Sequence, residues 1–129
     1  METEVTYPID SATDSYEADA CPVLYALSIV GQKWKLPILW HLFEKEVTRY
    51  NELKRSVGNI TNMMLTKSLQ ELERDGLVVR HQYNVIPPRV EYALTDRGKA
   101  LLPTLNELYN WGKEQMEGVQ ETKQGDSTS

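Results

Sequence analysis

From Pro22 onward the apolar positions of the chain keep a helical period and divide into distinct segments. Val23, Leu24, Leu27 and Val30 share one face, Pro22 suits a first helical turn and Gly31 ends the run, which predicts a helix over about 22–30. Trp34, Leu36, Ile38, Leu39, Trp40, Leu42 and Phe43 are too dense for a surface helix. They predict a buried one ending near Glu44, with Pro37 either in its first turn or at a kink. Val47-Thr48-Arg49 is a short β-prone stretch. Leu53 and Val57 then fall on one side of a helix from Tyr50 to Val57, which Gly58-Asn59 breaks. Thr61 is placed to cap a long amphipathic helix that runs to about Asp75 and stops at Gly76. Two helices joined by a short glycine-containing turn form a helix-turn-helix unit.

Behind that unit the period changes from helical to alternating. Leu77 to Tyr83 has strand character, Asn84 to Pro88 is a turn-rich tip, and Arg89-Val90-Glu91-Tyr92-Ala93-Leu94 alternates polar and apolar, which together predict a β-hairpin, or wing. Thr95 caps a last helical region, where Leu101, Leu105 and Leu108 form one stripe and Leu102, Tyr109 and Met116 a second, and Pro103 kinks or divides it. The order helix, helix, short strand, helix, helix, hairpin, helix predicts an α+β winged helix-turn-helix, mostly helical with a small wing. Two stripes on the last region, with Trp111 beside them, exceed what one small core needs, so a dimer is expected. Residues 1–20 lack any sustained period and read as a mobile acidic arm, residues 21–117 as the folded domain, and residues 118–129 as a disordered tail.

Charge sharpens the functional picture. The net charge of -5 at first argues against a nucleic-acid partner, but residues 1–20 carry six acids and no Lys or Arg, while residues 45–95 carry eight basic side chains against six acids. The acidity thus sits largely in the arm. No run approaches the roughly 18 apolar residues of a membrane span, and the start Met-Glu-Thr-Glu-Val is acidic where a secretory signal would be basic, so a cytoplasmic protein without a membrane partner is expected.

Leu65, Ser68, Leu69 and Leu72 cluster in one sector of the 61–75 helix and must face inward. The opposite side then holds Met63, Lys67, Gln70 and Arg74, with Thr66 flanking and Asn62 at the amino-terminal end. Asn and Gln pair bidentately with adenine edges, Lys reaches guanine or phosphate, and the methyls of Met and Thr contact thymine, so this face suits the major groove of double-stranded DNA. An ordinary solvated face is the plain alternative, and the place of the helix between a turn and a wing favours DNA. Arg49, Lys54 and Arg55 lie upstream as candidate phosphate clamps. Arg89, beside a tip stiffened by two prolines, is a candidate for a minor groove or a phosphate, or else for an ion pair with Glu91.

Five blocks in this order carry a family resemblance: Cys21-Pro22-Val23, Gly31-Gln32-Lys33-Trp34-Lys35, Arg49-Tyr50-Asn51-Glu52-Leu53, Leu69 to Val78, and Pro87-Pro88-Arg89-Val90-Glu91-Tyr92 followed by Leu94-Thr95 and Gly98. Over about residues 21–112 the chain resembles the HxlR-type transcriptional regulators, a bacterial branch near the MarR group. The resemblance implies a homodimer joined through its terminal helices and binding a roughly palindromic operator. Where the family often has a Pro-Lys-Thr type sequence at the start of the recognition helix, this chain has Asn62-Met63-Met64, so operator preference does not transfer.

Cys21 is the single cysteine, which excludes an internal disulfide, and with His41 and His81 it supplies too few soft ligands for a structural zinc site. Two readings stand for it. At the start of a helix, exposed N–H groups and the helix dipole favour a thiolate. Cysteine is equally among the residues most often buried as a small apolar group. The resemblance adds that some members sense oxidants, electrophiles or aldehydes at this block, so a small reactive electrophile or oxidant is a candidate partner, acting through a Cys21 bridge across the dimer, a mixed disulfide or an adduct. As an enzyme the chain would need Cys21 as nucleophile with His41 or His81 as base. His41 lies in the dense apolar helix, His81 is explained by the wing, and no phosphate-binding glycine loop, paired-carboxylate motif or metal spacing appears, so neither catalysis nor a cofactor is expected. A winged helix used only for protein contacts is a third reading, against which the basic stripe argues.

Overall fold

A computed structural model describes the backbone of residues 21–128 and side chains through residue 119. The acidic arm assigned to residues 1–20 lies outside the described residues. Helix α1 (Pro22–Val30) opens on its proline and closes where the Gly31 N–H donates to the Leu27 carbonyl. In α2 (Lys35–Glu44) Pro37 occupies the first turn, where a missing N–H has no helical acceptor to lose, so no kink is needed. Strand β1 (Thr48–Arg49) leads into α3 (Tyr50–Val57), and α4 (Asn62–Arg74) follows after a turn in which Gly58 adopts a φ of 100° that a side chain would disfavour. Thr61 Oγ1 accepts from the Met64 N–H at 3.1 Å and fixes the start of α4.

The hairpin of β2 (Val78–Tyr83) and β3 (Arg89–Leu94) joins β1 in a three-stranded antiparallel sheet of order β1-β3-β2, with Thr48 opposite Tyr92 and Val78 opposite Leu94. Helix α5 (Asp96–Lys99) starts at Thr95, whose hydroxyl donates to the Gly76 carbonyl at 2.6 Å and accepts from the Gly98 N–H at 3.1 Å. That one side chain ties the end of α4 to the exit of the wing. Gly98 packs so close that a Cβ would run into the Leu77 carbonyl. The core lies between the helix-turn-helix and the sheet. Ile38 and Leu39 of α2, Leu53 of α3, and Leu65, Leu69 and Leu72 of α4 are buried there with Val78, Leu94 and Leu105.

Helix α6 (Leu102–Thr128) begins beside Pro103, so the proline divides the last region rather than kinking it. Its backbone stays helical to Thr128, through the residues whose polarity led to the expectation of a disordered tail; Glu, Gln and Lys in that stretch are good helix formers. Of the stripe that marked α1 in the sequence, only Val30 is buried among the described residues. Ile29 and Val30 pack inward, while Val23, Leu24 and Leu27 are 64%, 55% and 50% exposed. On α6 Leu105 is buried, and Leu102, Leu108, Trp111 and Met116 are exposed. Trp40 of α2 stacks on Tyr109 of α6 at 4.6 Å between ring centroids and docks the long helix onto the domain.

Candidate nucleic-acid interface

The inward sector of α4 is the one the leucine spacing demands: Leu65, Ser68, Leu69 and Leu72 are buried. Asn62, Met63, Thr66, Lys67, Gln70 and Arg74 are consequently exposed, Met63 at 78%. The helix cannot roll without burying Lys67 or Gln70 and exposing leucines, so the core fixes which side chains it offers.

Two contacts that sequence reasoning missed hold α4 in place. The Tyr50 hydroxyl of α3 donates to the Asn62 carbonyl at 3.1 Å and meets Thr66 Oγ1 at 3.1 Å, so the Thr66 hydroxyl already has one partner within the subunit. From the other side the ammonium of Lys35, only 2% exposed, lies 2.8 Å from Glu71 Oε1 and donates to the Ile29 carbonyl at 3.3 Å. Hydrogen bonding from Lys35 holds the Glu71 carboxyl below its ordinary range, against a smaller opposing effect of burial.

The remaining predicted site residues differ in how free they are. Arg55 and Arg49 are exposed, and Lys54 is half-buried. The Arg49 main-chain N–H donates to Glu52 Oε1 at 3.2 Å while Lys45 binds the other oxygen at 3.1 Å; the Lys45 hydrogen bond is the largest cause of the lowered Glu52 pKa. The Arg74 Nε approaches Asp75 Oδ1 at 3.4 Å, which pulls its head toward the end of the helix. Arg89 lies over the Tyr83 ring at 4.4 Å, with Nε 3.4 Å from Glu91 Oε2. That approach lacks hydrogen-bond geometry and leaves the buried Nε without a hydrogen-bond partner, so it counts as a charge pair only. The Glu91 alternative for Arg89 therefore exists in the fold, and the guanidinium is anchored to the wing.

Two recesses run from α4 to the wing tip. Thr66, Gln70, Glu73, Arg80 and Tyr92 line the first together with Tyr50 and Val90. Arg49, Asn51 and the tip from Val85 to Arg89 line the second, again with Tyr50 and Val90. Tyr50 and Val90 are shared, so α4, α3 and the wing line two adjoining recesses. Arg80 and Asn51 join the candidate site through this geometry. Their positions on β2 and α3 gave no periodic signal for it.

Cys21 precedes α1 and is exposed among the described residues, which does not match its reading as a small buried residue. His41 bonds Glu44 at 3.1 Å and His81 packs edge-on against Tyr83 at 4.4 Å. Among the described residues no helix is long and apolar enough to cross a membrane.

The sequence model of the HxlR-like helix-turn-helix matches residues 29–120, spanning the recognition unit, the wing and most of the last helix. The chain belongs to the HxlR family. It is 43% identical over 105 residues to the HTH-type transcriptional regulator YdeP of Bacillus subtilis, covering 81% of this chain and 80% of that one. Among solved structures it superposes on the redox regulator HypR in its oxidized form with a TM-score of 0.69 at 41% identity, over 73% of this chain and 96% of that one. With the transcriptional regulator YodB of B. subtilis in its reduced form the TM-score is 0.62 at 30% identity, over 73% and 92%. This HxlR protein is thus a winged helix-turn-helix transcriptional regulator.

Proposed function

We propose that this chain binds a pseudo-palindromic operator as a homodimer in the cytoplasm, placing its two α4 helices in successive major grooves about 34–36 Å apart. The observation that carries the reading is the rigid presentation of Lys67 and Gln70 opposite a leucine sector that cannot turn outward. Arg49, Lys54 and Arg55 contact phosphates and set the register, while Asn62, Met63, Thr66, Lys67, Gln70 and Arg74 face the bases. The apolar side chains left uncovered on α1 and α6, among them Leu24, Leu27, Leu108 and Trp111, support pairing through the terminal helices. Titration of a duplex selected by the full chain from a random pool tests the reading, because release of phosphate counterions demands a steep fall of affinity with salt. Salt-independent binding, or none, would refute it.

Cys21 stands beside the α1 stripe, exposed at the dimerisation face proposed here. A disulfide between the two Cys21 thiols, formed as an oxidant takes two electrons and two protons, would covalently join those faces; a thiolate adding to an electrophile would place a substituent there. Either event alters how the α4 pair is spaced. The likeness to the redox regulator HypR supports a thiol-reactive signal. Cys21→Ser should abolish any change of DNA affinity under oxidant or aldehyde; an unchanged response would remove Cys21 from the mechanism.

A further inference from the structure

We infer that Ile86 is an apolar wedge that the wing tip inserts into the minor groove, making the protein sensitive to how easily the base step beneath it opens. The inference rests on the DNA-binding reading of α4 and adds a specificity-determining residue to it. Ile86 is 100% exposed, the most exposed large apolar side chain among the described residues, and Val85 beside it is 47% exposed. Pro87 and Pro88 fix the backbone that follows, and a β-branched side chain has few rotamers to lose, so the tip meets its target largely preorganised.

The location says what covers it. The recess that Ile86 borders is also lined by Arg49 and Arg89, and it shares Tyr50 and Val90 with the recess that holds Gln70. The lining of the tip recess holds no acid; Arg49 is exposed there, and Arg89, though charge-paired with Glu91, adds a second cation that favours an anionic partner over a protein one. A duplex meets them with phosphates on either side of a groove, and a branched apolar side chain entering that groove unstacks the step between them. Pyrimidine–purine steps open most readily and A-tracts resist, so the wedge converts step flexibility into affinity without any hydrogen bond to a base.

The test uses the full chain and duplexes selected by it from a random pool, each then made with TA, CA or AA at the minor-groove step under the tip, with 2-aminopurine reporting unstacking. Wild type is expected to bind the TA and CA duplexes about tenfold more tightly than the AA duplex and to raise 2-aminopurine fluorescence. Ile86→Ala, at a site with nothing to unfold, should lose that preference and the fluorescence rise, whereas Lys67→Ala should weaken all three duplexes and keep the preference. An Ile86→Ala protein with wild-type affinities and unstacking would overturn the wedge while leaving the α4 reading intact. Failure of Lys67→Ala to weaken any duplex, with the Ile86 effect preserved, would overturn the α4 reading instead.

Discussion

Lys35 Nζ lies 2.8 Å from Glu71 Oε1, which puts a buried ammonium of α2 against the recognition helix and, through the Ile29 carbonyl, against the end of α1. The pair joins the segment carrying Cys21 to the segment carrying Lys67 by contiguous contacts. Removing Glu71 leaves the ammonium buried and unpaired, which is the costly way to break such a bridge. Glu71→Ala should destabilise the fold by about 1–3 kcal/mol, discounted because the carboxylate is partly open to water, and Lys35→Met by less, since it removes the charge with its desolvation cost. Chemical denaturation of both variants checks the order.

The same carboxylate sets an acid limit. Its folded pKa is below the ordinary 4.5, so its stabilising contribution is complete above that value and is lost as pH falls through the folded one. Wild type should therefore lose part of its advantage over Glu71→Gln when acidified below about pH 4.5, with the two denaturation midpoints converging. Parallel curves across that window would show that Lys35 does not hold the carboxylate.

Tyr50→Phe removes one hydroxyl and no packing. The expected stability loss is about 1 kcal/mol or less, while specific DNA affinity should fall about three- to tenfold because Asn62 and Thr66 lose their brace. Equal binding by variant and wild type in a duplex titration would demote the contact to a structural detail.

If the uncovered stripes on α1 and α6 meet a second chain, a charge placed there must separate the subunits. Trp111→Glu, at a residue 61% exposed in the single subunit, should fold normally and sediment as a monomer where wild type sediments as a dimer. Its affinity for a two-half-site duplex should fall at least about a hundredfold, toward that for one half-site.

Much of this was legible in residue order because local rules decided it. Leucines at helical spacing put the inner sector of α4 in place, Thr61 and Gly76 bounded the helix, and the alternation of 89–94 announced the wing. What was not legible depends on partners far along the chain. No local pattern around Lys35 marks it as buried, and only the fold brings Glu71 to it. The Tyr50 hydroxyl meets α4 for the same reason. The stripe on α1 predicted a helix correctly but could not say whether its own subunit or another chain would cover it.

The orientation of α4 is tested most directly by titrating Gln70→Ala and Lys67→Ala against a panel of duplexes in which each base pair of the selected site is changed in turn. Gln70→Ala should lose about 1–3 kcal/mol of discrimination at one base position and little elsewhere, with Lys67→Ala weakening specific binding. Wild-type affinities and wild-type base preferences in both variants would contradict the placement of that helix in the major groove.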